Sequence, residues 1–412
     1  MKAHLGSKMK ILALNGGKAA ICEAPREYQW FDEELISKTN QLLRTQRISG
    51  FLGVAGDQFL GGDWVKKLEI DWSEVAGSEY GVSFNSWTSG LEAAFMALGL
   101  PLKTEIIVTP WTMSATIAAI VHAGLTPVFC DIDVNTFNID FTKIPDLITN
   151  QTGAICAVDI FGRPCEIFEI KKIAERFGLL IVVDAAQCPT GRISGVSTSS
   201  IADIGGFSLN RHKHIQSGEG GLAVTNNKSF KNRMQAIRNH GEVASPFERI
   251  NGNPIIGHNW RLGELEALIA CHQLGNIKNH VEARRIAGVR LTNSLSRLSG
   301  LNIPIIPSNI EHDYYVLGMY LDKRLSGVNR KRLKSALVAE GLDILITEYS
   351  ATQSLPAFRE MRHGDLSVAK QLNDETFFGL YLCGYKFTDD YIDQIIEAFE
   401  KVWENMDEII DA

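Results

Sequence analysis

A lysine held between a short strand and a glycine-rich turn carries the most chemistry in this sequence. The segment runs Phe207-Ser208-Leu209-Asn210-Arg211-His212-Lys213-His214-Ile215-Gln216-Ser217-Gly218-Glu219-Gly220-Gly221 and leads into the apolar strand Leu222–Thr225. An amine on rigid backbone, shielded from bulk water, is held more readily in its neutral, nucleophilic form. Glycines beside it allow backbone to approach a bulky planar group. Taken alone, the segment reads equally as a surface loop with an exposed lysine.

Two further pieces change that balance. In Leu180-Ile181-Val182-Val183-Asp184-Ala185-Ala186-Gln187 an acidic residue ends a fully apolar strand, which places it at the carboxyl edge of a sheet, where ligand crevices form. A carboxylate buried there is costly unless a cation meets it, and a protonated pyridine nitrogen is such a partner. The competing reading is an Asp that caps the next helix. In Asn85-Ser86-Trp87-Thr88-Ser89-Gly90, hydroxyls and free N–H groups precede a helix carrying Leu91, Ala94 and Phe95. That is an anion site suited to a phosphate, or an ordinary Ser/Thr N-cap. Together the pieces supply a phosphate end, a pyridine end and an aldehyde end, the three contacts of pyridoxal 5′-phosphate (PLP).

These residues need a scaffold, and the chain reads as one. From about Gly81 to Thr225 short apolar runs (Ile106–Thr109, Ala154–Val158, Leu179–Val183) alternate with helical stretches (Ser89–Leu98, Ser114–Ala123, Ile167–Phe177). Runs of this length without alternation are strands buried on both faces of a parallel sheet, and βα alternation implies a doubly wound α/β domain. Gly178 stands where a helix C-cap is expected. After Arg261 the texture changes: 262–299 reads as one long helix, Tyr314–Leu321 as a strand, and Asn329–Glu340, 365–377 and 389–405 as helices. The expected organisation is an N-terminal segment, 1–50, wrapped on the body, a large α/β domain over 51–275 and a smaller C-terminal α+β domain over 276–412. Met1 to Ser7 are set aside from this reading.

Bulk properties exclude several classes. At 412 residues, 45% hydrophobic and 22% charged, the balance is that of a soluble globular protein of more than one core. A net charge of −7 without a basic run argues against nucleic acid, and no apolar stretch is long enough for a membrane span. Cys22, Cys130, Cys156, Cys165, Cys188, Cys271 and Cys383 are odd in number and form no CxxC pair. A disulfide framework or metal site is not expected, and the cytoplasm is the expected location.

Beyond the three pieces, the chain resembles the DegT/StrS family of fold-type I PLP-dependent sugar aminotransferases over nearly its whole length. The matching phrases are Asn15-Gly16-Gly17, Thr109–Thr116, Leu125–Asp133, Gly257-His258-Asn259-Trp260-Arg261-Leu262-Gly263-Glu264-Leu265-Glu266-Ala267, Pro356–Phe358 and Asp389–Val402. The resemblance implies that Lys213 is the Schiff-base lysine and Ser208 a phosphate-binding hydroxyl. It makes Asp184 the partner of the pyridine nitrogen and Gln187 a neighbour of the cofactor's 3-hydroxyl. Thr88 becomes the phosphate-loop threonine. Asn259 becomes an asparagine reaching the phosphate of the neighbouring subunit, hence a homodimer with shared active sites. Two positions depart from the family pattern. Trp87 replaces a glycine beside Thr88, and Met113 stands where an aromatic ring stacks on the cofactor, leaving Met113 or Trp111 to cover it.

The resemblance further implies transfer of an amino group from glutamate or glutamine to a keto sugar, typically nucleotide-linked, or to a keto-cyclitol. A PLP-dependent sugar dehydratase, in which the lysine position is commonly histidine, and a catalytically idle regulator on the same scaffold are the alternatives. The retained Lys213 and Asp184 argue against both. His212 and His214 tempt toward a relay, Arg238-Asn239-His240-Gly241 toward a structural phrase, and Tyr314, Tyr315 and Tyr349 toward a substrate wall.

Overall fold

The computed structural model describes residues 10–243, 255–322, 328, 330–347, 349 and 351–410; the Met1–Ser7 segment and Asn329 lie outside them. The large sheet comprises β1 (Tyr80–Phe84), β2 (Glu105–Val108), β3 (Thr126–Phe129), β4 (Thr152–Val158), β5 (Leu180–Asp184), β6 (Ile204–Ser208) and β7 (Gly221–Thr225). Their order is β1-β7-β6-β5-β4-β2-β3. All pairs are parallel except those of β7, which runs against both its neighbours. The longer helices are α1 (Glu33–Arg44), α2 (Asp63–Ala76), α3 (Trp87–Leu98), α4 (Ser114–His122), α5 (Ile167–Phe177), α6 (Lys228–Arg238), α7 (Glu264–Leu274), α8 (Ile277–Leu295), α9 (Arg330–Ala339) and α10 (Asp389–Glu404).

Because side chains alternate along a strand, each apolar run feeds two cores. Ile155, Ile181, Val183, Phe207 and Leu222 face α2, α5 and α7. Val82, Phe84, Ala154, Val182 and Ala223 face α3, α4 and α6. Burial on both sides is why these strands read as unbroken hydrophobic runs. The cores also fix the helix ends: α5 stops at Gly178, in the left-handed region at φ 68°.

Four further strands, β8 (Leu301–Asn302), β9 (Val316–Leu321), β10 (Leu345–Ile346) and β11 (Phe377–Tyr381), form an antiparallel sheet in the order β8-β9-β11-β10. Leu291, Leu337, Ile395 and Phe399 from α8, α9 and α10 cover it. Leu12 and Ile21 insert into the same core, and Glu340 accepts from the Ala13 and Ala20 N–H groups at 2.8 and 3.0 Å. Lys401 pairs with Glu340 at 2.8 Å, both side chains buried. The stretch after residue 10 is thus strapped to the smaller sheet. On this arrangement we propose the division at 51–275 and 276–412.

Several local expectations are corrected. The helix expected over 262–299 is two helices, broken at Gly275-Asn276, poor helix formers, where Asn276 leaves helical geometry at φ −110°, ψ 4°. The helix expected over 365–377 is present from Ser367 to Thr376, its second half wound as a wider π-helix, and β11 begins at Phe377. The expected strand start at Tyr314 moves to Val316, because Tyr314 adopts φ 49°. The first fifty residues, which lack strong periodicity, nevertheless hold α1, started by Asp32, whose carboxylate accepts from Leu35 N at 2.8 Å.

Candidate active site

The parallel strands bring their carboxyl ends to one edge, and two sequence-predicted residues and the candidate phosphate turn stand on it. Asp184 ends β5, Ser208 ends β6, and the turn after β1 leads into α3. Asp184 is buried and well partnered. Its Oδ1 accepts from the Trp87 indole N–H at 2.9 Å and from Ala186 N at 3.1 Å, and its Oδ2 accepts from Thr116 Oγ1 at 2.8 Å. A buried carboxylate needs such donors to offset lost hydration.

Lys213 sits in a turn closed at its base by Ser217 N donating to Leu209 O at 2.9 Å. Its Nζ lies 4.7 Å from the centre of the Tyr315 ring. Burial holds its pKa below the ordinary lysine value, with the Asp184 charge partly opposing the shift. No carboxylate pairs directly with Nζ among the described residues, so the half-buried amine is free to react. The smaller sheet roofs this turn: Tyr315 precedes β9, and Tyr381 of β11 donates its hydroxyl to His212 O at 2.7 Å.

At the other end, α3 begins with Ser86 as N-cap, its Oγ accepting from Ser89 N at 3.1 Å. The N–H groups of Trp87 and Thr88, in the first turn, have no helical acceptor and make an anion cup. Ser208 joins it because β6 pairs Ser208 with Gly221, and Gly221 packs against the start of α3. A Cβ on Gly221 would stand 2.4 Å from Trp87 N, so only glycine permits that approach. Thr88 is exposed on the cup, whereas the Trp87 ring turns beneath the sheet.

Gln187 is buried, its Oε1 accepting from Phe161 N at 2.6 Å, with Tyr349 beside it. Trp111 is fully buried against Tyr349 and the edge of Phe377, and of the two ring covers only Met113, 61% exposed at the head of α4, remains on the open side. Asn259 is exposed, in an isolated bridge with Asn239, its Oδ1 accepting from Arg261 Nε at 2.7 Å.

The histidines divide. His212 is exposed, while His214 is buried between Gln187 O at 3.1 Å and Arg284 Nη1 at 2.8 Å. Burial and the Arg284 charge keep His214 neutral, far below its usual pKa. Arg238 is structural, bound to Glu69 and Ser83. Tyr314 packs at Gly288, away from Lys213. Sequence reasoning singled out neither Thr116, although it closes the quoted Thr109–Thr116 phrase, nor Gly206, which lies beneath Trp87.

A half-buried amine, a buried carboxylate and an anion cup on the carboxyl edge of this strand order define a fold-type I PLP enzyme, and the residues present fit that cofactor. The chain belongs to the DegT/DnrJ/EryC1/StrS aminotransferase family, which it matches over residues 47–400. It is 30% identical over 302 residues to a UDP-N-acetyl-3-dehydro-alpha-D-glucosamine 3-aminotransferase of Acidithiobacillus ferrooxidans, covering 73% of this chain and 79% of that protein. It is 28% identical to the GDP-perosamine synthase of Caulobacter vibrioides, covering 83% and 90%. The solved structure of DesI, determined in the presence of its TDP-sugar product, superposes with a TM-score of 0.83 at 24% identity, covering 97% of this chain and 98% of that one. That last likeness establishes the fold.

Proposed function

We propose that this enzyme transfers an amino group from glutamate or glutamine to a keto sugar carried on a nucleotide, in amino-sugar biosynthesis. The observation that carries the reading is the Lys213 amine, half-buried over Tyr315 with its pKa depressed, on the same strand edge as Asp184. The relatives named for nucleotide-sugar amination supply the acceptor class; a keto-cyclitol is the neighbouring possibility, since a relative is named for that chemistry.

PLP, when bound, supplies the electron sink for the reaction. The chain's own residues do the rest. Lys213 Nζ anchors the cofactor and, its basicity lowered by burial, moves the proton at the donor's α-carbon. Asp184 would meet the ring nitrogen, and the N–H groups of Trp87 and Thr88, with Ser208 Oγ, would hold the phosphate. Gln187 and Met113 border the ring. Asn259, exposed on its own protomer, serves the site of a second copy, so the working unit is a homodimer. We place it in the cytoplasm, where its seven unpaired cysteines stay reduced. The dehydratase alternative needs a histidine at the lysine position, but His214 is committed to Arg284 and Gln187, and His212 points to the exterior.

The test is the visible absorbance of purified protein before and after L-glutamate or L-glutamine. A band bleached by donor, and absent in Lys213→Ala before donor is added, supports the reading. No band after incubation with PLP overturns it.

A further inference from the structure

We propose that Trp87 is a positioning residue that saturates one oxygen of Asp184 and so dictates which oxygen meets the cofactor's ring nitrogen. The inference rests on the PLP reading above. A carboxylate offers about two in-plane acceptor sites on each oxygen. Oδ1 of Asp184 already accepts two hydrogen bonds, from Trp87 Nε1 at 2.9 Å and Ala186 N at 3.1 Å. Oδ2 accepts one, from Thr116 Oγ1 at 2.8 Å. One acceptor site therefore remains open, and it is on Oδ2. All three donors sit on rigid elements: Trp87 opens α3, Thr116 lies in α4 and Ala186 follows β5. The carboxylate plane is fixed before any ligand arrives, which is the preorganisation an electron-sink partner needs.

The placement of the indole is built, not incidental. Gly206 lies under it in β6: a Cβ there would stand 2.0 Å from Cη2 and 2.2 Å from Cζ3 of Trp87. A Cβ on Gly90, one turn along α3, would stand 2.9 Å from Cε3. Contacts this short cannot be relieved by a rigid ring wedged between helix and sheet. Two glycines thus clear the ring and a third, Gly221, clears its backbone. Within that slot the only polar atom of the side chain ends on Asp184. Packing alone makes no use of the N–H, which is what distinguishes a positioning role from a space-filling one.

Trp87→Phe removes the donor and leaves a smaller aromatic ring in the slot. Titrating cofactor-free protein with PLP, the dissociation constant is expected to rise about 10-fold, the size of one hydrogen bond to a charged group. The pH midpoint of the bound cofactor's visible band is expected to move by about half a unit or more, a change that altered packing elsewhere would not produce. Gly206→Ala, which displaces the indole, should shift the midpoint likewise. If neither variant folds, the unmutated protein decides: with indole nitrogens labelled by ¹⁵N, one Trp resonance should move as PLP is added. An unmoved midpoint with affinity within about twofold, or no indole resonance responding to PLP, overturns the role of Trp87. Absence of the visible band in the unmutated protein overturns the PLP reading instead, so the two failures are distinguishable.

Discussion

Replacing Arg238 by methionine tests whether the phosphate end of the site is held from behind. Arg238 is fully buried, and its Nη1 donates to Glu69 Oε1, to Ser83 O at 2.9 Å and to Ser83 Oγ at 3.1 Å. Among the described residues Glu69, 8% exposed, otherwise accepts from Ser83 N and Oγ, at 2.9 and 2.8 Å. Removing the cation leaves a buried carboxylate without its counter-charge, a loss of about 3–5 kcal/mol. Methionine retains much of the side chain's apolar volume, so the cavity contribution stays small. Adding Glu69→Gln removes the stranded charge and should recover about 2 kcal/mol or more. Because Ser83 lies in β1 just before the turn into α3, PLP affinity should fall along with stability. The assay is urea denaturation of the cofactor-free single and double variants, with PLP titration of those that fold. A cost below about 1 kcal/mol for Arg238→Met, or no recovery with Glu69→Gln, refutes the reasoning.

Other expectations follow from the same geometry. If Asn259 serves the partner's site, mixing refolded Lys213→Ala and Asn259→Ala chains gives hybrids with one intact site, and activity should rise above either parent; no gain over the parents rules out sharing through Asn259. His312 is buried, its Nδ1 accepting from Tyr314 N at 2.8 Å, and burial followed by the Arg163 and Arg285 charges lowers its pKa to about 3. The unfolded chain therefore binds a proton that the folded one refuses. That contribution to stability is full above about pH 6.5 and is lost as pH falls toward 3, about 2 kcal/mol between pH 7 and 5. Urea midpoints at the two pH values should differ less in His312→Gln than in the unmutated protein; equal differences would show that His312 is not responsible.

What the sequence made legible follows from how local each signal is. Strands β2, β4 and β5 were readable because burial on both faces leaves no polar residue to blur an apolar run, and α5 because Gly178 ends it in a conformation that favours glycine. Asp184 stood out because it ends such a strand, and Lys213 because it lies in the glycine-rich turn that joins β6 to β7. The break at Gly275-Asn276 was hidden because α7 and α8 are both helical on either side of it, so composition alone shows no boundary. Helix α1 was missed although Leu35, Ile36, Leu42 and Leu43 share one face and Asp32 before Glu33 and Glu34 carried a start signal. Tyr315 was named from the sequence only as part of a substrate wall; its place beside Lys213 exists because the smaller sheet folds over the larger.

The departure at Trp87 shows where such reading fails and why. In the sequence, a tryptophan replacing glycine beside a phosphate loop looks like bulk that would strain the turn. In the fold the strain does not arise, because the ring leaves the loop at once and enters space that Gly206, on a distant strand, has vacated. Neither residue is informative alone: Gly206 reads as a weak point in a strand, and Trp87 as an intrusion. Only the register that sets β6 beside β5 makes them one device, delivering an indole N–H to the carboxylate of Asp184. A loop substitution that breaks a local rule is thus best judged by what lies opposite it across the core, and here the residue opposite is a glycine with no conformational need to be one, since its place is the interior of a regular strand.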